Sequence, residues 1–315
     1  MKKLSSVQAI PQWLMLPSGA LMGAAVIATL HAIAQQSTTP MPTMPGATEA
    51  RPANDPFAIF ASVPPAETES IDYKVWGDFV NKLVLFESGE TAFAYRAIKQ
   101  NATMFLDDFV DAMETLRPEL LSKKEQLALW INLYNAQVVR VTTANYPVRS
   151  VEALVNGPAW ADQTMGISGV KLSLNDIRSN VLARYFNDPR ILSALFVPAR
   201  GGPPVQKRAY SGPTIDAQLD AAAAQYINQS GVVIVKGDVA YVSPVFTLNR
   251  MYFGGEDARI IAHLTAFAKP KLAQKLALAT RVETGRFDWA LNDHIPRESD
   301  FGLRDQPRPQ PSSGS

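Results

Sequence analysis

The chain has 315 residues, 47% of them hydrophobic and 19% charged, with 30 Lys and Arg against 29 Asp and Glu. That composition supports one large core or two small ones and excludes a disordered chain, while the balance of charge leaves no sequence-wide field to attract nucleic acid or an anionic membrane. Cysteine is absent, which excludes a disulfide framework, a thiol nucleophile and a thiolate metal site.

Lys2 and Lys3 precede the apolar stretch LMLPSGALMGAAVIATLHAIA, which has no acidic residue and ends in Ala32-Ile33-Ala34. A positive start, an apolar middle and a small-x-small end are the parts of a secretory signal. Residues 1–34 are expected to be a cleaved signal peptide that sends the rest to the periplasm or outside the cell. The alternative is an uncleaved anchor in the inner membrane, shortened by Pro17 and Gly19, and it is the one membrane attachment the sequence offers. Without Lys2 and Lys3, 28 basic residues face 29 acidic ones. Residues 35–56, rich in Pro and Thr, read as a disordered linker, and residues 304–315 read as a disordered tail. Residues 57–303 are expected to form the domain.

Over 70–86, Tyr73, Trp76, Phe79, Val80 and Leu83 recur at helical spacing, and over 101–116 Met104, Phe105, Phe109, Met113 and Leu116 repeat the pattern. Ser122 with Glu125 three residues on fits a capping box, which starts a helix through ALWINLYNAQVVRVT (128–142) that Asn145-Tyr146-Pro147 ends. Residues 170–186 read as a short strand, a Ser173 cap and a helix. Residues 188–205 read as an apolar strand or buried helix that breaks into a Gly/Pro loop. A helix is expected over 214–229, and a hairpin over 231–246 that turns at Lys236-Gly237-Asp238. The last helix, 257–279, breaks near Pro270. The order is that of a helix-rich α+β domain with a small antiparallel sheet and one β-hairpin.

The usual catalytic signatures are missing: there is no Walker loop, G-x-G-x-x-G, H-E-x-x-H or G-x-S-x-G. Beyond the leader only His263 and His294 remain, and two isolated histidines without cysteine argue against a metal site. No cofactor is indicated. Two constellations carry chemistry. Asn132 and Asn135, three apart on one face of an apolar helix, are expected with Tyr134 to form a polar network that fastens irregular backbone, because a buried amide without partners costs about 1–3 kcal/mol. Arg190, Arg200, Lys207 and Arg208 surround Gly201-Gly202-Pro203-Pro204. Cations beside free glycine N–H groups suit a carboxylate or phosphate; a solvated basic loop is the other reading.

The stretches EQLALWINLYNAQVVRVTTANYPVRSV (125–151), KLSLNDI (171–177), DPRILSAL (188–195) and PPVQKRAYSGPTIDAQLDAAAAQYIN (203–228) resemble the DUF547 family, a domain of unknown function, and FDWALN (287–292) looks like the family's C-terminal end. Members typically carry histidine after D-P-R-I, where this chain has Leu192, and a C-A-S-x-x-C-P-P-like segment, where it runs from Val197 to Pro204. They often have E-H after D-I, where Arg178 and Ser179 stand here. The family's thiols and imidazoles imply an activated nucleophile, and this divergent member has lost all of them.

Together with the signal-like leader, the resemblance leads to the expectation of an exported, non-catalytic binding module derived from a thiol-enzyme-like fold. It would take an anionic small molecule, a peptide or an envelope fragment near Arg190, Arg200, Gly201, Gly202, Lys207 and Arg208. The alternative is a hydrolase or transferase acting on peptide or envelope substrates without sulfur, with His294, Asp176 or Glu152 as base beside the 197–204 loop. Asn132 and Asn135 are expected to hold that loop against the central helix.

Overall fold

A computed structural model describes residues 2–3, 55–61, 70–87 and 90–294. The leader beyond Lys3, the linker up to Asn54 and the tail 304–315 lie outside the described residues.

Helix α1 (Lys74–Leu83) buries Trp76, Phe79, Val80 and Leu83, the stripe that the sequence shows. Helix does not continue to residue 86 as the spacing predicts. Val84–Glu87 is strand β1, antiparallel to β2 (Glu90–Phe93), with Val84 opposite Phe93. A Val-Leu-Phe run suits either state, and the strand partner decides. Helices α2 (Tyr95–Asn101) and α3 (Thr103–Glu114) follow. Phe109 of α3 stacks on Trp76 with centroids 5.3 Å apart, and Phe105 stacks on Phe79 at 4.7 Å. Each such ring adds roughly 1.5–3 kcal/mol by leaving water. Met104, expected on this buried face, is 65% exposed. It lies one residue, and so about 100° of helix rotation, away from the Phe105–Phe109–Met113 stripe.

Helix α4 (Lys123–Ala144) starts where Ser122 accepts the Glu125 N–H at 3.3 Å. From Glu125 to Val139 every residue is buried. A helix without a solvent face is a core element, and α2, α3, the 3-10 turn Gly212–Thr214 and later helices pack around it. Phe60 meets Trp130 edge-on at 4.8 Å.

After α5 (Glu152–Val155) and α6 (Pro158–Ala161), β3 (Met165–Ile167) and β4 (Val170–Leu172) form a second hairpin. Ser173 and Asp176 make a reciprocal capping box on α7 (Leu174–Asp176), which runs on through a π-helical turn (Ile177–Leu182) into α8 (Ala183–Tyr185). The apolar run after Asp188 is the short helix α9 (Ile191–Ala194), and α10 (Ile215–Ile227) follows the Gly/Pro loop. The expected hairpin is β5 (Val233–Lys236) with β6 (Val239–Val242), turned by Gly237 at φ 60°. Beyond α11 (Pro244–Thr247), the break at Pro270 separates α12 (Asp257–Phe267) from α13 (Pro270–Leu276), and β7 (Arg281–Thr284) adds to β6 in parallel. The fold is α+β and rich in helix, with short antiparallel strand pairs at its margin.

Residues 288–294 are an extended strap that closes the molecule. Leu291 N–H donates to Arg149 O, Arg200 N–H to Ala290 O, and Phe93 N–H to Asn292 O at 2.8 Å, so one strand ties three distant segments together. Among the described residues no helix is long and apolar enough to cross a membrane.

Candidate functional site: a cleft beside the central helix

Two asparagines of α4 clamp backbone on either side of the Gly/Pro loop. The Asn132 amide donates to Tyr210 O at 2.8 Å and accepts from Tyr210 N–H at 2.9 Å. The Asn135 amide donates to Ala194 O at 3.1 Å and accepts from Phe196 N–H at 2.9 Å. Both side chains are fully buried, and each presents donor and acceptor together, as a strand neighbour would. Asn132 and Asn135 thus fasten irregular backbone, but not the 197–204 loop expected from the sequence: their partners, residues 194, 196 and 210, flank it on either side. Tyr134 points elsewhere and accepts from Trp160 Nε1 at 3.3 Å.

A second amide completes the hold on residues 209–211. Gln218 of α10 donates to Ala209 O at 2.7 Å and accepts from Ser211 N–H at 2.9 Å. Asn132 from one side and Gln218 from the other use four successive polar groups of this backbone. The fixed tripeptide and the Lys207-Arg208 pair before it form one wall of a cleft of about 540 Å³. The facing wall is the start of α1, from Ser70 through Lys74 to Asp78 and Asn81. Lys74 pairs with Asp78 across one helical turn. Lys207 and Arg208 are exposed, and among the described residues neither has an ion-pair or hydrogen-bond partner.

The basic residues and glycines singled out in the sequence do not form one site. Arg190 is held by Asp188 at 2.6 Å, Asp220 at 2.7 Å and Asp216 at 3.1 Å, and these carboxylates push its pKa up. Arg200 is exposed, with its main chain bonded to Ala290 and Gln229. The glycine N–H groups are not free: Gly201 donates to Asp288 O and Gly202 to Ala199 O, both at 3.0 Å. A Cβ on Gly201 would lie 2.7 Å from Asp288 N, and one on Gly202 would lie 2.7 Å from the Val197 Cβ and carbonyl O. Close packing against the strap explains Gly201, and close packing against Val197 within the loop explains Gly202. Only Lys207 and Arg208 of the six reach the cleft.

The positions where the family carries thiol and imidazole are spent on packing. Val197 and Leu192 are buried at 6% and 4% exposure, Ser179 lies on the π-helical turn, and none of them lines the cleft. Val197 and Gly202 abut: a Cβ on Gly202 would stand 2.7 Å from the Val197 Cβ, too close for two side chains unless the loop shifts. Asp176 is used as a cap, accepting from Ser173 N–H at 2.9 Å and from Asn180 at 2.8 Å. Glu152 begins α5, whose first turn it occupies. His294 donates its main-chain N–H to Phe93 O, next to Asp293, which accepts from Tyr146 at 2.8 Å. His263 sits among Phe246, Phe253 and Phe267, and this burial lowers its pKa to about 4.

Sequence reasoning missed Gln218 and the role of Glu125. Glu125 is 3% exposed, and both carboxylate oxygens lack a hydrogen-bond partner among the described residues. Its side chain does not return to the Ser122 N–H as a full capping box would. It turns inward against Gly212, where an added Cβ would come within 2.7 Å of its Cδ. Burial, and then the Glu125 charge, hold the Tyr73 hydroxyl well above the ordinary phenol pKa. That hydroxyl lies beside the Asn132 amide without a hydrogen bond of normal geometry.

No curated protein and no solved structure matches the chain. A family model described as "Protein of unknown function, DUF547" matches residues 118–227. That span holds α4, both asparagine clamps, Gln218 and the Lys207-Arg208 wall, whereas the α1 wall and the strap lie outside it. The matched segment keeps the W-I-N-L-Y-N helix, and the chain has no cysteine, so residues 118–227 form a cysteine-free DUF547-like segment.

Proposed function

We propose that this is a non-catalytic binding protein, exported by its leader, that takes a ligand bearing an anionic group in the cleft between α1 and residues 207–211. The supporting observation is the pair Lys207 and Arg208: two cations unpartnered among the described residues, on a wall whose backbone Asn132 and Gln218 hold fixed. Preorganised charge loses little freedom on binding, and a carboxylate gains charge-assisted hydrogen bonds there. The absence of cysteine, the packing of the 192, 197 and 202 positions, and the use of Asp176 as a cap all favour recognition over turnover.

Isothermal calorimetry of the full chain with acetate and with short carboxylate-ended peptides tests this. Binding in the millimolar range or tighter is expected, with loss in Lys207→Ala/Arg208→Ala. Heat that is absent at millimolar ligand, or unchanged in the double variant, would sink the assignment.

A further inference from the structure

Resting on that reading of the cleft, we infer that its ligand is zwitterionic: an anionic group on Lys207 and Arg208, and an ammonium on Glu125 behind the α1 wall. Three observations converge on the Glu125 end. The carboxylate is excluded from water with no donor on either oxygen among the described residues, an arrangement that is unfavourable until a donor arrives. It lies one side chain deep from the cleft, because it packs on Gly212, the residue after the lining Ser211, and its charge acts on the lining Tyr73. Gly212 leaves the space that the carboxylate occupies, since an alanine Cβ would come within 2.8 Å of Oε1.

The Tyr73 ring and hydroxyl suit an ammonium. An aromatic face attracts a cation, and a phenol oxygen accepts from it. When the Tyr73 side chain moves aside, an ammonium entering from the cleft finds one carboxylate and one hydroxyl, both without hydrogen-bond partners, in a low-dielectric surround where the pairing is strong. Amino acids and short peptides with a free amino terminus have the required charges at the two ends. The cations at the mouth and the buried anion behind it select against ligands of a single charge.

The test is calorimetry on the full chain with three probes: alanyl-alanine, its N-acetyl derivative, and acetate. The inference predicts that alanyl-alanine binds about 10- to 100-fold more tightly than the N-acetyl form, the range of a hydrogen bond to a charged group. Glu125→Gln should abolish that preference while leaving the N-acetyl form bound as before. Tyr73→Phe, which keeps the ring, should reduce the preference several-fold and serves if Glu125→Gln does not fold. Equal binding of both peptides by the wild-type chain would overturn the zwitterion assignment and leave the anion site standing. Failure of all three probes would overturn both.

Discussion

Two stretches of α4 with buried polar side chains, around Glu125 and around Asn132 and Asn135, behave in opposite ways. At Asn132 and Asn135 the amides meet loop backbone with donor and acceptor both used, within 2.8 to 3.1 Å. Two turns earlier the Glu125 carboxylate is as deeply buried and has no hydrogen-bond partner among the described residues. A satisfied buried amide is architecture, because its bonds replace those lost to water; an unsatisfied buried carboxylate opposes folding and is kept for something the fold does not require. One helix thus holds the scaffold at one level and a latent binding group at another.

The largest expected effect breaks the scaffold half. Asn132→Ala orphans the N–H and the carbonyl of Tyr210 at once, so urea unfolding should show a loss of about 3 kcal/mol, and Asn135→Ala should behave alike through Ala194 and Phe196. A loss below about 0.5 kcal/mol would mean that water or slack replaces the clamp. His263 gives the next largest effect and separates cost from function: among the described residues its ring Nε2 also lacks a hydrogen-bond partner, but it sits in a phenylalanine nest outside the cleft lining. Its folded pKa of about 4 lies below the ordinary 6.5. The unfolded chain therefore takes up the proton first, and stability falls as pH drops below 6.5, the full loss being reached below 4. Over that window the loss should be about 2–3 kcal/mol. Unfolding of His263→Phe followed from pH 7 to pH 4 should lack that component, and identical pH profiles would contradict the buried neutral imidazole.

Smaller still is Gly202→Ala, whose Cβ meets Val197 Cβ and O at 2.7 Å. Crowding in the loop between the clamps should cost about 1–2 kcal/mol in thermal unfolding. The smallest expected change is in Lys207→Ala/Arg208→Ala, which should leave stability within about 0.5 kcal/mol while removing ligand binding.

The clamps were legible in sequence because amides inside an apolar helical run must find partners; which backbone they find was not. Asn132 and Asn135 are expected on the 197–204 loop, but they hold residue 210 and residues 194 and 196 just outside it, since a loop frame is set by contacts distant in sequence. The cleft joins residues 70–81 to 207–211, a pairing that no local pattern encodes. Glu125 was readable as a cap partner, and its main-chain N–H does bond Ser122. The inward turn of its carboxylate depends on Gly212, far along the chain. The basic cluster around Gly201 is divided because three aspartates claim Arg190, the strap claims Gly201 and the loop's own Ala199 and Val197 claim Gly202.

Urea unfolding of Glu125→Gln beside the wild-type chain at neutral pH tests the division of α4 most directly. If the unpartnered carboxylate is held for a ligand, removing its charge leaves the midpoint unchanged or raises it. A fall as large as that of Asn132→Ala would make Glu125 part of the scaffold and contradict the account.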